Sequence, residues 1–269
     1  MPALGLGTWR MGEKAARRAA EVNAIKLALD LGYRLIDTAE MYGEGGAEEA
    51  IGAALTGHPV PREQVFIVSK VYPHNGSRKG VIAACERSLR RLKTDYIDLY
   101  LLHWRGSVPL TETVDAFGAL VAQGRIRRFG VSNFDAGDMQ ELWQIDGGAQ
   151  CAMNQVCYSA PVRGIEFDLV PWQQAHAVPL MAYSPVDQGR LADHPALAAI
   201  GAPHGATAAQ VAIAWLLTRP GVIVIPKAVE AAHLRDNLAA AALQLTADDL
   251  HAIDRAFPPP KRKSSLAMT

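Results

Sequence analysis

Cysteine is scarce in this chain. Only Cys85, Cys151 and Cys157 occur in 269 residues, an odd number without CxxC spacing. That excludes a disulfide-stapled framework and a cysteine-rich metal site, and reads as reduced thiols packed in helices and strands. Cys151 and Cys157 flank a strand-like run and could face opposite ways, so no bond is expected between them. Net charge is also lacking, because 27 basic and 27 acidic side chains balance. Balance argues against nucleic acid or an anionic membrane surface as the main partner. No apolar run approaches the ~18–20 residues of a membrane span. The opening MPALGLGTWRMGEKAARR lacks the apolar core and cleavage site of an export signal, so the cytoplasm is the expected compartment.

What is present is a repeat. Eight short β-like runs can be marked, at 3–9, 34–38, 65–70, 97–103, 127–133, 152–158, 179–185 and 222–227. Helical periodicity fills much of the space between them, at 19–32, 78–95, 111–123, 135–143, 164–176, 207–218 and 230–241. Thr207 and Thr246 sit where helices begin, and Gly32 and Gly124 where they stop. Strands apolar on both faces, alternating with helices, imply a parallel sheet covered by helices. Eight βα units in about 250 residues is the size of a closed (β/α)8, or TIM, barrel, here a single domain over 1–269. An open doubly wound sheet is the alternative, but its GxGxxG fingerprint occurs nowhere in the chain. An extra helix at 246–257 follows the eighth unit and leads into PPPKRKSSLAMT. Its basic residues read as a solvated tail, which the three prolines could turn over the barrel mouth.

Within the repeat, Asp37, Lys70 and His103 stand 33 positions apart, each at the end of a strand-like run, and Tyr42 follows Asp37 closely. In a parallel barrel, equal phase means convergence on one rim, where active sites lie. Taken singly, Asp37–Lys70 reads as a buried ion pair, His103 as a satisfied barrel histidine and Tyr42 as a packed rim aromatic. Together they suit proton transfer to a carbonyl oxygen while a hydride reaches its carbon. A phenol is a weak acid at neutral pH unless a cation favours its anion. Lys70 would supply that charge, Asp37 would keep the ammonium protonated, and His103 would hold a substrate oxygen or relay a proton.

The segments GLGTW, LIDTAEMYG, VSKV, LRRLKTDYIDLYLLHW, GRIRRFGVSNF, NQV, AYSP and IPKA, in this order over residues 3–257, resemble the aldo-keto reductase family. The resemblance implies Tyr42 as general acid, tuned by Lys70 and Asp37, with His103 orienting the carbonyl. It implies NADPH as cofactor, with NADH tolerated. Ser132, Asn133 and Gln155 match the positions that bond the carboxamide, Tyr183 matches the aromatic that stacks on the nicotinamide, and Ser184, Gln188 and Leu191 fall in the pyrophosphate loop. At the adenosine end members often read IPKS followed by an arginine, whereas IPKAVEAAHLRDN places Ala228 and His233 there. Lys227 and His233 remain toward the 2′-phosphate, with Arg235 nearby, and Asp236 and Asn237 toward the adenine, so the NADPH preference is expected to be reduced but not reversed. A second departure is that the chain opens almost directly on its first strand, so the N-terminal β-hairpin plug of such barrels is expected to be short or absent.

By position, Trp9, Met41, Tyr72, Trp104 and Asn133 line the pocket. A brief connection at 104–110 and a moderate one at 186–203 leave it open, which suits small aldehydes and dicarbonyls. The wording of the chain is similar to bacterial methylglyoxal-reducing members. A sugar or diketo-gluconate reductase, or a nucleotide-binding regulatory subunit with little catalysis, are the alternatives. No nucleic-acid or membrane partner is expected, and a monomer and a dimer fit the charged helix faces equally.

Overall fold

The computed structural model describes residues 1–268. Eight parallel strands form one sheet in sequence order: β1 (Leu6–Gly7), β2 (Leu35–Asp37), β3 (Phe66–Val71), β4 (Ile97–Leu102), β5 (Ile126–Ser132), β6 (Asn154–Cys157), β7 (Leu180–Tyr183) and β8 (Val222–Val224). The sheet closes on itself through parallel bridges from Leu4 to Val224 and from Gly7 to Lys227. Gly5 N donates to Val224 O at 2.9 Å and Gly7 N to Pro226 O at 3.0 Å. Gly7 must be small, because a Cβ there would lie 2.7 Å from the Ile225 carbonyl. The expected barrel is therefore the observed one.

Side-chain alternation divides the apolar residues into two cores. Leu35, Val68, Leu99, Leu101, Met153, Met181, Ile223 and Ile225 pack together inside the barrel. Ile36, Ile67, Tyr100, Leu102, Val131 and Val156 take the other phase and pack in the larger core under the helices. Each fully buried Leu or Ile contributes about 1.5–3 kcal/mol relative to exposure. The inward phase changes character toward the strand ends: Leu35 is followed by Asp37, Val68 by Lys70, Leu101 by His103, Met153 by Gln155, and Ile225 by Lys227. An apolar plug thus fills the middle of the barrel and a polar layer sits above it.

Among the described residues ten α-helices surround the strands: α1 (Arg18–Asp30), α2 (Gly46–Leu55), α3 (Arg78–Leu92), α4 (Leu110–Ala122), α5 (Ala136–Trp143), α6 (Leu169–Ala175), α7 (Pro195–Gly201), α8 (Ala208–Leu217), α9 (Ala231–Ala239) and α10 (Ala247–Ala256). Thr207 and Thr246 cap α8 and α10, each in a capping box with the residue three positions on. Gly32 (φ 103°) and Gly124 (φ 70°) end α1 and α4 in left-handed conformation. There Tyr33 N reaches Ala28 O and Arg125 N reaches Leu120 O, both at 2.9 Å. Helices α2 and α7 were not among the expected elements, and the stretch expected at 164–176 is a 3-10 turn at Gly164–Glu166 followed by α6. No hairpin precedes β1 among the described residues, and Phe66 and Ala152 of the inner core stay only partly buried. All three cysteines are buried and free. No single described helix is long and apolar enough to cross a membrane.

The segment after α10 lies against the connection that follows β6. Arg163 donates to Asp254 at 2.7 Å and to the Phe257 carbonyl at 2.6 Å. Lys263 pairs with Asp168 at 3.1 Å, Ser264 sits over Gly164, and Leu266 packs on the core.

Candidate active site

Strands β2, β3 and β4 bring Asp37, Lys70 and His103 to one rim, and a short turn after β2 returns Tyr42 to them. Lys70 Nζ lies 2.9 Å from both carboxylate oxygens of Asp37, 2.8 Å from the Thr38 carbonyl and 3.1 Å from Tyr42 Oη. Lys70 is completely buried and Asp37 nearly so. Burial lifts the Asp37 carboxyl above and pushes the Lys70 ammonium below their ordinary values, each opposed by the other's charge and hydrogen bonds. An ammonium, with three N–H donors, is the species that satisfies the carboxylate, the carbonyl and the phenol oxygen together. Gln155 Nε2 donates to Asp37 Oδ1 at 2.7 Å, which further holds the carboxylate in its charged form.

The phenol behaves differently from the sequence expectation. Burial first, and the Asp37 charge second, hold Tyr42 well above the ordinary phenol value. The carboxylate behind Lys70 offsets the cation, so Tyr42 rests fully protonated while its oxygen accepts from Nζ. Its proton is thereby left to point elsewhere. The His103 ring stands edge-on to Tyr42, centroids 5.8 Å apart, and burial with the nearby Lys70 keeps its pKa well below the histidine norm. His103 is thus a neutral imidazole. Its buried Nδ1 has no hydrogen-bond partner among the described residues, an orphan of the kind that functional sites retain.

Two further layers hold this group. Ser69, next to Lys70 on the outer phase, donates at 2.6 Å to the buried Glu48 of α2, which Arg91 of α3 also meets at 3.1 Å. Glu40 receives Tyr72 N and Asn75 Nδ2, each at 2.9 Å, and pairs with Arg87. Glycine sets the path of the Tyr42 turn. Gly12 has φ 79°, and a Cβ on it would lie 2.2 Å from the Gly46 carbonyl carbon, so the β1–α1 connection rests directly on the start of α2. None of these supports was named from the sequence, since no spacing ties Gly12, Glu40 or Glu48 to its partner.

Beyond the four, Ser132 and Asn133 at the end of β5 meet Gln155 and Tyr183. Ser132 Oγ donates to the Gln155 carbonyl at 2.9 Å, Asn133 Nδ2 donates to the His103 carbonyl at 3.0 Å, and Tyr183 Oη donates to Asn133 Oδ1 at 2.8 Å. Ser184 and Gln188 follow in a turn of positive φ, whereas the Leu191 side chain is sunk in the core beneath it. Lys227 and His233 are exposed, Asp236 is half-buried and Asn237 is buried. Trp9, Met41, Tyr72 and Trp104 are all half-buried. Tyr72 and Trp104 meet edge-on at 6.0 Å, and the Trp104 ring lies 4.8 Å from His103. Of eight non-glycine residues with positive φ, Arg10, Glu44, Asn133, Ser184, Asp187 and Gln188 lie in segments following strand ends, so backbone strain gathers on this rim.

Residues 3–257 match the model of the aldo/keto reductase family. Methylglyoxal reductase YeaE of Escherichia coli (strain K12) is 53% identical over 273 residues, covering 100% of this chain and 95% of the relative. Methylglyoxal reductase DkgB of Escherichia coli O157:H7 is 34% identical over 94% of this chain and 92% of its own length. Among solved structures, an aldo-keto reductase from Klebsiella pneumoniae in complex with NADPH superposes with a TM-score of 0.96 at 50% identity, covering 100% of this chain and 95% of that one. With its closed barrel and a match over almost its whole length, this chain belongs to the aldo/keto reductase family of oxidoreductases.

Proposed function

We propose that this enzyme reduces small aldehydes and dicarbonyls, methylglyoxal among them, to alcohols with NADPH, and that Tyr42 donates the proton. The observation that carries the reading is the set of contacts at Lys70 Nζ. Its three donors are committed to Asp37, Thr38 and Tyr42 Oη, so the phenol proton is the one left over for a substrate oxygen. Methylglyoxal enters from the relatives, two of which are named for its reduction.

The residues at the rim fit a nicotinamide dinucleotide by their chemistry. Ser132, Asn133 and Gln155 present a hydroxyl and two amides for a carboxamide, and Tyr183 offers an aromatic face. The 184–191 turn would carry the pyrophosphate, and Lys227, which has no ion pair among the described residues, a phosphate. When bound, the reduced nicotinamide supplies a hydride to the carbonyl carbon. The chain's own residues do the rest. His103, neutral, orients the carbonyl oxygen by a hydrogen bond without competing as a cation. Tyr42 passes its proton to that oxygen, and the Lys70 ammonium stabilises the phenolate left behind while Asp37 keeps the ammonium in place. Proton transfer from Tyr42 becomes favourable only as the carbonyl oxygen takes on alkoxide character, because its basicity then exceeds that of the phenolate left behind. The half-buried Trp9, Met41, Tyr72 and Trp104 form a partly apolar entrance that holds small substrates loosely and larger aromatic aldehydes by contact.

The test is oxidation of NADPH with methylglyoxal, aromatic aldehydes and a sugar-acid ketone as a panel, for wild type, Tyr42→Phe and Lys70→Met. Both variants should lose at least about 10²-fold in kcat, the range expected for a positioned general acid. Equal rates for wild type and Tyr42→Phe would refute the proton-donor role. Faster turnover of the sugar acid than of every small aldehyde would move the substrate class. Equal kcat/KM with NADH and NADPH would remove the proposed cofactor preference.

A further inference from the structure

Positive charge collects beside the end of β8, where Lys227, His233 and Arg235 make no ion pair among the described residues. Lys227 is exposed there, with Arg235 and His233 also exposed on α9. The family's serine and arginine positions are Ala228, which is buried, and His233. Barrel closure brings a second source of charge to the same place. Gly7 bridges to Lys227, so the β1–α1 connection starts alongside it, and Tyr33 Oη, which follows α1, donates at 2.9 Å to the Leu234 carbonyl of α9.

That connection carries Arg10, Lys14 and Arg17, all exposed and none in an ion pair among the described residues. Arg10 covers the Trp9 ring at 4.4 Å. Arg17 closes a turn in which its N–H donates to the Lys14 carbonyl at 2.9 Å, and it stands directly before α1. Its neighbour Arg18 is already committed to Glu49 of α2 at 2.8 Å. Burial first lowers the Lys227 ammonium, Arg17 and Arg10 act in the same direction, and Glu21 and Glu13 oppose them. Glu21, however, is buried and receives the Gly12 amide at 2.9 Å. Like charges held together unpaired on a surface oppose one another until a multivalent anion joins them.

We propose that Arg17, from the first βα connection, joins Lys227 in recognising the 2′-phosphate of NADPH, in place of the contacts that Ala228 and His233 do not provide. The inference rests on the NADPH reading above. It makes the cofactor preference of this chain depend on barrel closure between β1 and β8 rather than on the β8 connection alone. A guanidinium suits the task because it can offer two parallel N–H donors to a phosphate.

Calorimetric titration of the full chain with adenosine 2′,5′-bisphosphate, adenosine 5′-monophosphate, NADP+ and NAD+ tests it by binding alone. Arg17→Ala should weaken adenosine 2′,5′-bisphosphate and NADP+ about tenfold or more, the scale of one charge-assisted contact. It should leave NAD+ and adenosine 5′-monophosphate within about twofold, Arg17→Lys should recover part of the loss, and Arg18→Ala should bind all four like wild type. Unchanged binding of the bisphosphate by Arg17→Ala overturns the inference, as does an equal loss for NAD+ and NADP+. If the wild type binds no NADP+, the cofactor reading itself falls. If it binds NADP+ tightly and Arg17→Ala does the same, only the role of Arg17 falls.

Discussion

Asp37 meets several demands at once. Both of its carboxylate oxygens accept from Lys70 Nζ, one of them also from Gln155, and its own carbonyl takes Thr8 Oγ1 at 2.9 Å. Removing one member of a buried ion pair strands the other, which costs about 3–5 kcal/mol, while removing both avoids much of that penalty. Asp37→Asn and Lys70→Met should therefore each lower the urea midpoint, and the double variant should lose clearly less than the sum of the singles. Tyr42→Phe should leave the midpoint close to wild type, since Tyr42 is half-buried at the rim. Single variants of wild-type stability, or additive losses, would mean that the pair is not coupled as its geometry requires. At this scale the sequence was most legible in identity and least in charge state. Equal spacing named Asp37, Lys70 and His103 because a closed barrel turns phase into proximity. The raised phenol of Tyr42 and the lowered imidazole of His103 depend on burial and on the sum of neighbouring charges, which no spacing contains.

Helices were legible where one face is apolar and the other polar. Segment 78–95 alternates in that way and forms α3, capped by Ser77 Oγ accepting from Gly80 N at 3.2 Å. Helix α2, GAEEAIGAAL, has apolar or small residues almost all round and two glycines, so it shows no stripe. It is held instead by burial of Ala47, Ala50, Ile51 and Ala54 and by the Glu48 contacts. Helix α7 is too short to display a period. The same invisibility covers the loop contact that seats Tyr42. Gly12 adopts a left-handed conformation that costs a residue with a Cβ roughly 1–2 kcal/mol, and its Cβ would also strike α2 backbone at 2.2 Å. Gly12→Ala should therefore push the β1–α1 connection off α2, shift Tyr42 and lower kcat about 10²-fold, the scale of a misplacement near 1 Å, with a smaller change in KM. A Gly12→Ala enzyme with wild-type kcat would show that this close approach does not position the phenol. A purely structural element behaves otherwise: Thr246→Ala, which removes the α10 cap, should cost about 1 kcal/mol and speed amide exchange in α10 without touching kcat.

The whole molecule binds protons in an uneven way. Burial raises the thiols of Cys85 and Cys151 to about 12 and that of Cys157 to about 11. It also raises the phenols of Tyr33, Tyr42, Tyr100 and Tyr158 above their ordinary value, and with Glu44 it brings Tyr72 to about 12. Above about pH 8.5 the unfolded chain releases thiol protons that the folded chain keeps, and above about pH 10 phenol protons as well. The folded state then holds more protons than the unfolded one, so the free energy of unfolding falls as pH rises. Each thiol contributes a slope of about 1.4 kcal/mol per pH unit once its unfolded form is ionised. Lys70 and Lys227, both lowered by burial, lose protons earlier in the folded state and oppose this trend, but they are two groups against eight. On the acid side the buried groups oppose one another, because burial makes Asp37, Glu48 and Asp138 keep protons longer in the folded state whereas it makes His103 refuse one. The folded pKa of His103 lies below the unfolded value near 6.5, so the unfolded chain takes up a proton that the buried ring refuses, and its contribution to stability falls as pH drops through that value. Unfolding midpoints in urea should thus decline as pH rises above about 8.5. Replacing Cys85 and Cys151 together by alanine should lower the midpoints through the lost packing, yet flatten the alkaline limb. An alkaline limb equally steep in that variant would place the titration elsewhere, and a midpoint rising between pH 8.5 and 10.5 would contradict the sign worked out for the buried thiols and phenols.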